Sequence, residues 1–376
     1  MQKVKIDDVL KYQQPTKYIV ESQNYSNDFK TPVLTAGKSF ILGYTDEKNG
    51  IFNEFPVIIF DDFTTAFHYV DFPFKVKSSA MKILKSVKEK ADLKYLFYRM
   101  QTISIDKDLH KRYWISKYSQ IQILLPTLIT QQKIAEILDT AEQLRQYNKK
   151  LITKYDALIQ SLFMEMFGDP VRNEKGWETV QVESVASKEK HSIKAGPFGS
   201  SLKKEFYVQN GYKIYGQEQV IKDNMSFGNY YIDEKKYKEL ESCKVKNGDV
   251  LISLVGTYGK VSIIPEVFEK GIINPRLMKI SPNKNIIRPD FLKFLLQSSH
   301  VEKQLKNHSR GGTMDIINVG IIRKIFIPLP PVKIQNLFAE RVQMIEAQKQ
   351  QAQEALAKSE NLFQSLLQRA FKGELV

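Results

Sequence analysis

LPTLITQQKIAEILDTAEQ, residues 125–143, returns as LPPVKIQNLFAERVQMIEA at residues 329–347. The offset is constant at 204 residues (125 to 329), and the match has no gap. Identities include Leu125/Leu329, Pro126/Pro330, Gln131/Gln335, Ala135/Ala339, Glu136/Glu340 and Glu142/Glu346. They continue through Lys154/Lys358, Leu158/Leu362, Gln160/Gln364, Ser161/Ser365, Leu162/Leu366 and Phe167/Phe371. Shared helical composition does not account for a match over about 43 positions that also reproduces the Leu-Pro before the helix and the Gln-Ser-Leu near its end. The chain is therefore a tandem repeat.

The repeat extends upstream. Val4–Val9 (VKIDDV) pairs with Val180–Val185 (VQVESV), LKYLF from Leu93 with LKFLL from Leu292, and Ile121–Leu124 with Ile325–Pro328. The last pair has the alternation of a strand, and each strand ends at the Leu-Pro. The plan is globular domain, helix, globular domain, helix, with expected boundaries at 1–124, 125–169, 170–327 and 328–376.

Apolar residues of the first helix recur at alternating spacings of three and four: Ile134, Ile137, Ala141, Leu144, Asn148, Leu151, Tyr155, Leu158 and Leu162. This is the seam of a helix packed along another, and Asn148 within it is suited to fixing register. Gly168, Asp169 and Pro170 stop the helix. The second helix carries Phe338, Val342, Ile345, Ala352, Leu356, Leu362 and Leu366. The expected partner of each helix is the other, antiparallel. At about 1.5 Å per residue, some 38 residues reach roughly 57 Å. That length outruns a globular domain of this size.

The formal net charge of +14 implies an anionic partner, most simply nucleic acid. One cysteine, Cys243, excludes an intramolecular disulfide framework and a cysteine-based zinc site. The five histidines have no metal-binding spacing. The N-terminus lacks the apolar stretch of a signal peptide, and no apolar run reaches the roughly 18 residues of a membrane span, so a cytoplasmic protein is expected.

The first globular domain has short β-branched and aromatic runs broken by Gly, Pro and Asp, and residues Ala80 to Met100 read as helix. Its candidate DNA contacts are Gln14, Lys17, Tyr44, Thr64, Thr65, Lys111 and Arg112. The second domain carries IKAGPFGSSLKKEFY (193–207), GYKIYGQEQV (211–220), GDVLISLVGTYGKVSII (248–264) and HSRGGTMDIINVGII (308–322). Gly-, Ser- and Lys-rich loops bring amide and ammonium groups close to phosphates. The candidates there are Lys194, Gly196, Phe198, Gly199, Ser200 and Lys203 in the first stretch, and Thr257, Tyr258 and Lys260 in the third. Arg310, Gly311, Gly312 and Thr313 are candidates in the fourth. Gln217, Gln219, Asn224 and Arg310 are of the types that read base edges. Two basic domains on a rigid spacer suit a divided DNA site, with half-sites roughly 34–36 Å apart per turn.

The Leu-Pro-x-x-x-x-x-Gln helices, GPFGSSL, GTYGK and the QPTKYIV and DDFTT stretches resemble the specificity subunits of type I restriction-modification enzymes over nearly the whole chain. The first-domain motifs are similar to one class of target-recognition domain, the second-domain motifs to a more widespread one. The resemblance implies an α+β chain: two tandem α/β target-recognition domains separated by two long antiparallel coiled-coil helices. Each domain would read one half of a bipartite double-stranded DNA target in the major groove. The helices would set the gap and dock two modification subunits. This chain would carry no cofactor. The modification subunits would use S-adenosylmethionine to methylate adenine, and restriction subunits would use ATP and Mg²⁺ to translocate and cleave. Since the sequence starts almost directly in its first domain, residues Phe371 to Val376 are expected to close the circular arrangement.

Enzymatic alternatives lack their motifs. Asn274-Pro275-Arg276-Leu277 misses the second proline and the aromatic residue of an adenine methyltransferase tetrapeptide. Gly256-Thr257-Tyr258-Gly259-Lys260 is too short for a nucleotide-binding P-loop. The triplets Asp92-Leu93-Lys94 and Glu234-Lys235-Lys236 are what a lysine-rich chain yields by chance. A coiled-coil scaffold or a solitary DNA-binding protein is the alternative to the specificity subunit.

Overall fold

The computed structural model describes residues 2–35, 39–105, 112–254, 259–308 and 319–375. The chain divides into two compact units, Met1–Leu151 with Gln351–Val376 and Ile152–Gln350. The division falls within the two long helices, so each unit is a globular domain plus a part of both.

The first domain runs β1 (Gln2–Lys5), α1 (Ile6–Val9), β2 (Leu10–Gln13), β3 (Thr31–Leu34), β4 (Ile41–Thr45) and β5 (Val57–Asp61). It continues through β6 (Phe67–Val70), β7 (Lys75–Val76), β8 (Met81–Ser86), α2 (Leu93–Gln101), α3 (Tyr113–Ser116) and β9 (Gln122–Leu125) into α4 (Leu128–Phe167). The second domain runs β10 (Glu178–Gln181), β11 (Ile193–Ala195), β12 (Tyr207–Val208), β13 (Tyr212–Tyr215), α5 (Gln217–Lys222), β14 (Tyr231–Ile232) and α6 (Glu234–Glu239). Then come β15 (Val250–Ser253), β16 (Val261–Ile263), β17 (Gly271–Ile273), β18 (Leu277–Ile280), α7 (Pro289–Leu296), α8 (Ser299–His308), α9 (Val319–Arg323), β19 (Phe326–Leu329) and α10 (Val332–Lys372).

The two domains, whose central sequences differ, share one topology. The main sheet has order β2-β8-β5-β6 in the first and β11-β18-β15-β16 in the second, antiparallel throughout. A smaller sheet has order β4-β3-β7 in the first and β12-β14-β13-β17 in the second. In each, one pair is parallel, β3 with β7 and β13 with β17. A two-stranded ribbon, β1 with β9 or β10 with β19, joins the start of each domain to the strand that leads into its helix. Ile6 N–H donates to Ile121 O and Val182 N–H to Ile325 O, both at 2.9 Å, so the upstream repeat seen in sequence is the same structural joint twice.

Two readings need correction. Residues 80–100 are not one helix: Met81–Ser86 form β8, paired on both sides with β2 and β5, and α2 starts only after Asp92. The strand is buried even at Lys82, whose ammonium lies 3.5 Å from the buried Asp62 carboxylate. The match of LKYLF with LKFLL is also out of step by three residues. Tyr95 stacks near Phe371 with ring centroids 5.4 Å apart, and Phe291 lies near Phe167 at 4.6 Å, which equates Tyr95 with Phe291.

Within each unit the helix segments run antiparallel. In the first, Asn148 Nδ2 donates to Ser359 Oγ at 3.4 Å, Lys149 faces Glu360 at 3.8 Å, and Ile134 shares a core with Leu367 and Ala370. In the second, Lys349 pairs with Asp156 at 2.6 Å and Phe163 packs edge-on against Phe338 at 5.8 Å. Ile134, Asn148, Leu162 and Phe338 are buried, and Leu151, Val342, Ile345, Leu356 and Leu366 are half-buried. Leu144, Leu158 and Leu362 lie outside the seam, at 45%, 49% and 47% exposure. The buried positions are instead Leu138, Ile159, Phe363 and Leu367. A strict 3.5-residue count drifts against a helix of 3.6 residues per turn, and here the drift moves the seam by one position.

The far end of each helix completes the other domain's core. Phe363, Leu367 and Ala370 of α10 pack with Leu96, Tyr98 and Met100 in the first unit, and the partly buried Phe371 and Leu375 join them. Phe163 and Phe167 of α4 pack with Phe291, Leu292 and Leu295 in the second. Replacing Phe163 by Ala should therefore destabilise the second unit by about 3–5 kcal/mol, read as a lower urea midpoint. A change below about 1 kcal/mol would show that the helix end is dispensable to that core.

Candidate nucleic-acid interface

In the first domain β2 and β5 both run antiparallel to β8, and Gln13 and Ile59 both face Ile83, so the two strands end at one edge of the main sheet. In the second domain Ala195 and Ile252 both face Met278, which brings the ends of β11 and β15 to the corresponding edge. Among the described residues, most sequence candidates sit on the connections that leave these ends. Gln14 and Lys17 follow β2, and Thr64 and Thr65 form the β5–β6 turn. Gly196, Phe198, Gly199, Ser200 and Lys203 follow β11, and Lys260 closes the β15–β16 connection.

The second-domain edge is organised by Asn274, which sequence reading had considered only as part of a failed catalytic tetrapeptide. Its N–H donates to Tyr215 O at 2.8 Å, and its side-chain oxygen accepts from Arg276 N–H at 2.9 Å. A Cβ on Gly196 would lie 1.8 Å from the Asn274 carbonyl oxygen, and one on Gly216 would lie 2.8 Å from its side-chain nitrogen. Gly196 is needed for this close approach of two backbones, whereas at Gly216 the end of the Asn274 side chain would have to shift. Gln217 Nε2 donates to Ser253 Oγ at 2.7 Å, and Ser253 N–H donates to Lys260 O at 3.0 Å. Gly196, Gln217 and Lys260 are thus gathered around Asn274 and Ser253. From this fixed base Pro197 is buried while Phe198 projects at 87% exposure, and open space surrounds the Cβ position of Gly199.

Ahead of β11, exposed His191 has its pKa held below the usual value, by desolvation first and then by Lys190, Lys194 and Lys279. Lys194 is half-buried beside the loop, and exposed Lys203 has Glu205 at 3.6 Å.

Gln219 does not lie at the surface of this edge. It is buried, its side-chain oxygen accepts from Gly216 N–H at 2.9 Å, and its amide nitrogen donates to Phe227 O at 2.8 Å. Its amide is spent on holding the turn into α5. Asn224 likewise accepts from Ser226 N–H at 3.0 Å.

In the first domain Asp61 Oδ1 accepts from Phe63 N–H, Thr64 N–H and Thr64 Oγ, at 2.9, 2.6 and 2.9 Å. Thr64 therefore builds the turn, and Thr65 takes its left-handed position at φ 61°. Exposed Arg112 is held close by, since Tyr113 N–H donates to Asp62 O and Trp114 N–H to Asp62 Oδ1. Tyr44 stands apart, half-buried on β4. Lys111, Thr257, Tyr258, Arg310, Gly311, Gly312 and Thr313 lie outside the described residues. Among the described residues no group of three His, Cys, Asp or Glu side chains could hold a metal ion, and no helix is long and apolar enough to cross a membrane.

Residues 174–357 match the family described as the type I restriction modification DNA specificity domain. A type I restriction enzyme specificity subunit of Methanocaldococcus jannaschii, MjaVIII, is 25% identical over 96% of this chain and 91% of its own length. The EcoR124I/EcoR124II specificity subunit of Escherichia coli is 49% identical over 36% of this chain. The match spans about a third (36%) of that protein's length. The crystal structure of a type I restriction-modification S subunit from M. genitalium superposes with a TM-score of 0.60, covering 98% of this chain and 96% of that one at 16% identity. Residues 174–357 belong to that family, and over its length the chain is similar to type I restriction-modification specificity subunits. The double domain and antiparallel helices described above are thus the fold seen in that S subunit.

Replacing Gln219 by Leu should lower the stability of the second unit by about 1–3 kcal/mol, because Gly216 N–H and Phe227 O lose their buried partners. Replacing the surface Phe198 by Ala should leave stability within about 0.5 kcal/mol. Thermal melting of the two variants checks this contrast.

Proposed function

We propose that each domain reads one half of a bipartite double-stranded DNA target, and that the helices fix the gap between the halves. The observation that carries this reading is the repeated sheet edge, where candidate contacts leave the same two strand ends in both domains. A net charge of +14 supplies the attraction to phosphates. Loops supported by a rigid sheet edge suit base reading in the major groove, with the surrounding lysines fixing register on the backbone.

The helices also present a docking surface. In the first unit Ile137, Ala141, Leu144, Tyr147, Leu362 and Leu366 line an open, mainly apolar groove, with Tyr147 63% exposed. Leu158, the repeat mate of Leu362, is equally open in the second unit. Two modification subunits would take these related surfaces. They would supply S-adenosylmethionine-dependent adenine methylation, and restriction subunits would supply ATP- and Mg²⁺-dependent translocation and cleavage. This chain contributes recognition.

Two measurements test the reading. Duplex DNA binding by the chain should weaken steeply with salt, and Lys203→Ala should reduce the log–log slope by about 0.9. A salt-independent affinity would exclude the phosphate surface. Leu144→Glu should abolish co-purification of the modification subunit while sparing DNA binding. Retained co-purification would place the docking surface elsewhere.

A further inference from the structure

We propose that Gln131 and Gln335 are positioning residues that fix the angle at which each recognition domain is held on its helix, and so make the gap in the target single-valued. This rests on the bipartite reading above. Each glutamine lies in the first turn of its helix with its side chain fully buried. Gln131 Oε1 accepts from Asp92 N–H at 2.9 Å, while its Nε2 donates to Lys90 O at 3.2 Å and to Pro126 O at 2.9 Å. Gln335 Oε1 accepts from Arg288 N–H at 2.9 Å, while its Nε2 donates to Ile286 O at 3.2 Å and to Pro330 O at 2.8 Å. The six bonds are the same three made twice. In each unit one amide ties together the strand-to-helix elbow, the cap of α2 or α7, and the carbonyl two residues before that cap.

The chemistry of the site calls for glutamine. One acceptor and two donors are needed from a single planar group, which a carboxylate cannot supply and a thioether cannot approach. Asparagine is one methylene shorter. The clamp is also kept where its surroundings are not: 39 residues separate Asp92 from Gln131, but 47 separate Arg288 from Gln335. Both domains nevertheless close on the helix through the same bonds.

The other contacts between each helix start and its domain are apolar, through Ile134 and Leu138 in the first unit and Phe338 in the second, plus polar contacts that the two units do not share: Asp139 with Lys94 and Tyr98 in the first, Asn336 with Arg288 in the second. Apolar contact holds surfaces together without fixing an angle, whereas hydrogen bonds weaken steeply away from linearity. The lever is long enough to matter. A tilt of about 10° about the clamp moves a point about 20 Å away, the far side of a domain of this size, by roughly 3.5 Å. That is about one base-pair rise.

The test is genome-wide mapping of adenine methylation in cells carrying the full chain with its modification subunit. The chain is wild type, Gln131→Met or Gln335→Met. A control variant, Leu138→Ala, is destabilised without loss of the clamp. The expected result is that both clamp variants keep the bases of the two half-sites but methylate sites one base pair shorter or longer at least tenfold above the wild-type background. The control should keep the single gap. A single gap at undiminished rate in both clamp variants would overturn the proposal, as would relaxed gaps in the control or altered half-site bases in the clamp variants. If one clamp variant fails to accumulate, the other carries the same decision. A wild-type chain that directs no two-part motif would instead overturn the bipartite reading itself.

Discussion

Reciprocal burial of the helix ends is the constraint from which the rest of this structure follows. A helix of 40 residues whose surface is mostly Gln, Lys, Glu and Ala buries little by itself. Its ends are secured because α4 starts on the first domain and finishes in the core of the second, through Phe163 and Phe167. The α10 helix starts on the second domain and finishes in the core of the first, through Phe363 and Leu367. Neither domain's core is complete without both helices. The antiparallel pairing within each unit is the geometric consequence, and the polar pair Asn148–Ser359 adds a directional contact to an otherwise apolar seam.

On the function proposed above, recognition and spacing fall to different parts of the chain. The sheet edges present loops whose bases are fixed by Asn274 in one domain and by Asp61 and Asp62 in the other. Loop side chains such as Phe198 and Gln14 project from supports that do not depend on them. Such an arrangement lets loop sequences change while the sheets, ribbons and helices stay constant. It accounts for two domains with one topology and little sequence in common.

The repeat, the long helices and the fold class were legible because helix periodicity and the Leu-Pro elbow survive in both copies. The seam was legible only to within a residue: Leu362 and Leu366 are apolar and correctly spaced, yet Phe363 and Leu367 face inward. The strand β8 was read as helix because the apolar residues Met81, Ile83 and Leu84 around Lys82 are too short a pattern to separate a buried strand from a helix. The common sheet topology left no trace in sequence, since it depends on long-range pairing between variable segments. Among site residues, the stretch GPFGSS falls on the loop that leaves β11, where Gly196 serves backbone packing against Asn274. Gln219 had the residue type of a base reader and is buried as a clamp. Gln131 and Gln335 were visible as identities, but their hydrogen-bond partners in the globular domains lie 39 to 49 residues upstream, which no local pattern shows.

The central claim is that two reading surfaces act independently within one chain. The most direct measurement replaces residues 193–325, which lie between the ribbon strands β10 and β19 of the second domain, with the matching segment of another specificity subunit, and maps adenine methylation in the presence of the modification subunit. The account predicts a motif in which one half changes completely while the other half keeps its bases. A motif that changes in both halves, or one that does not change at all, would contradict it.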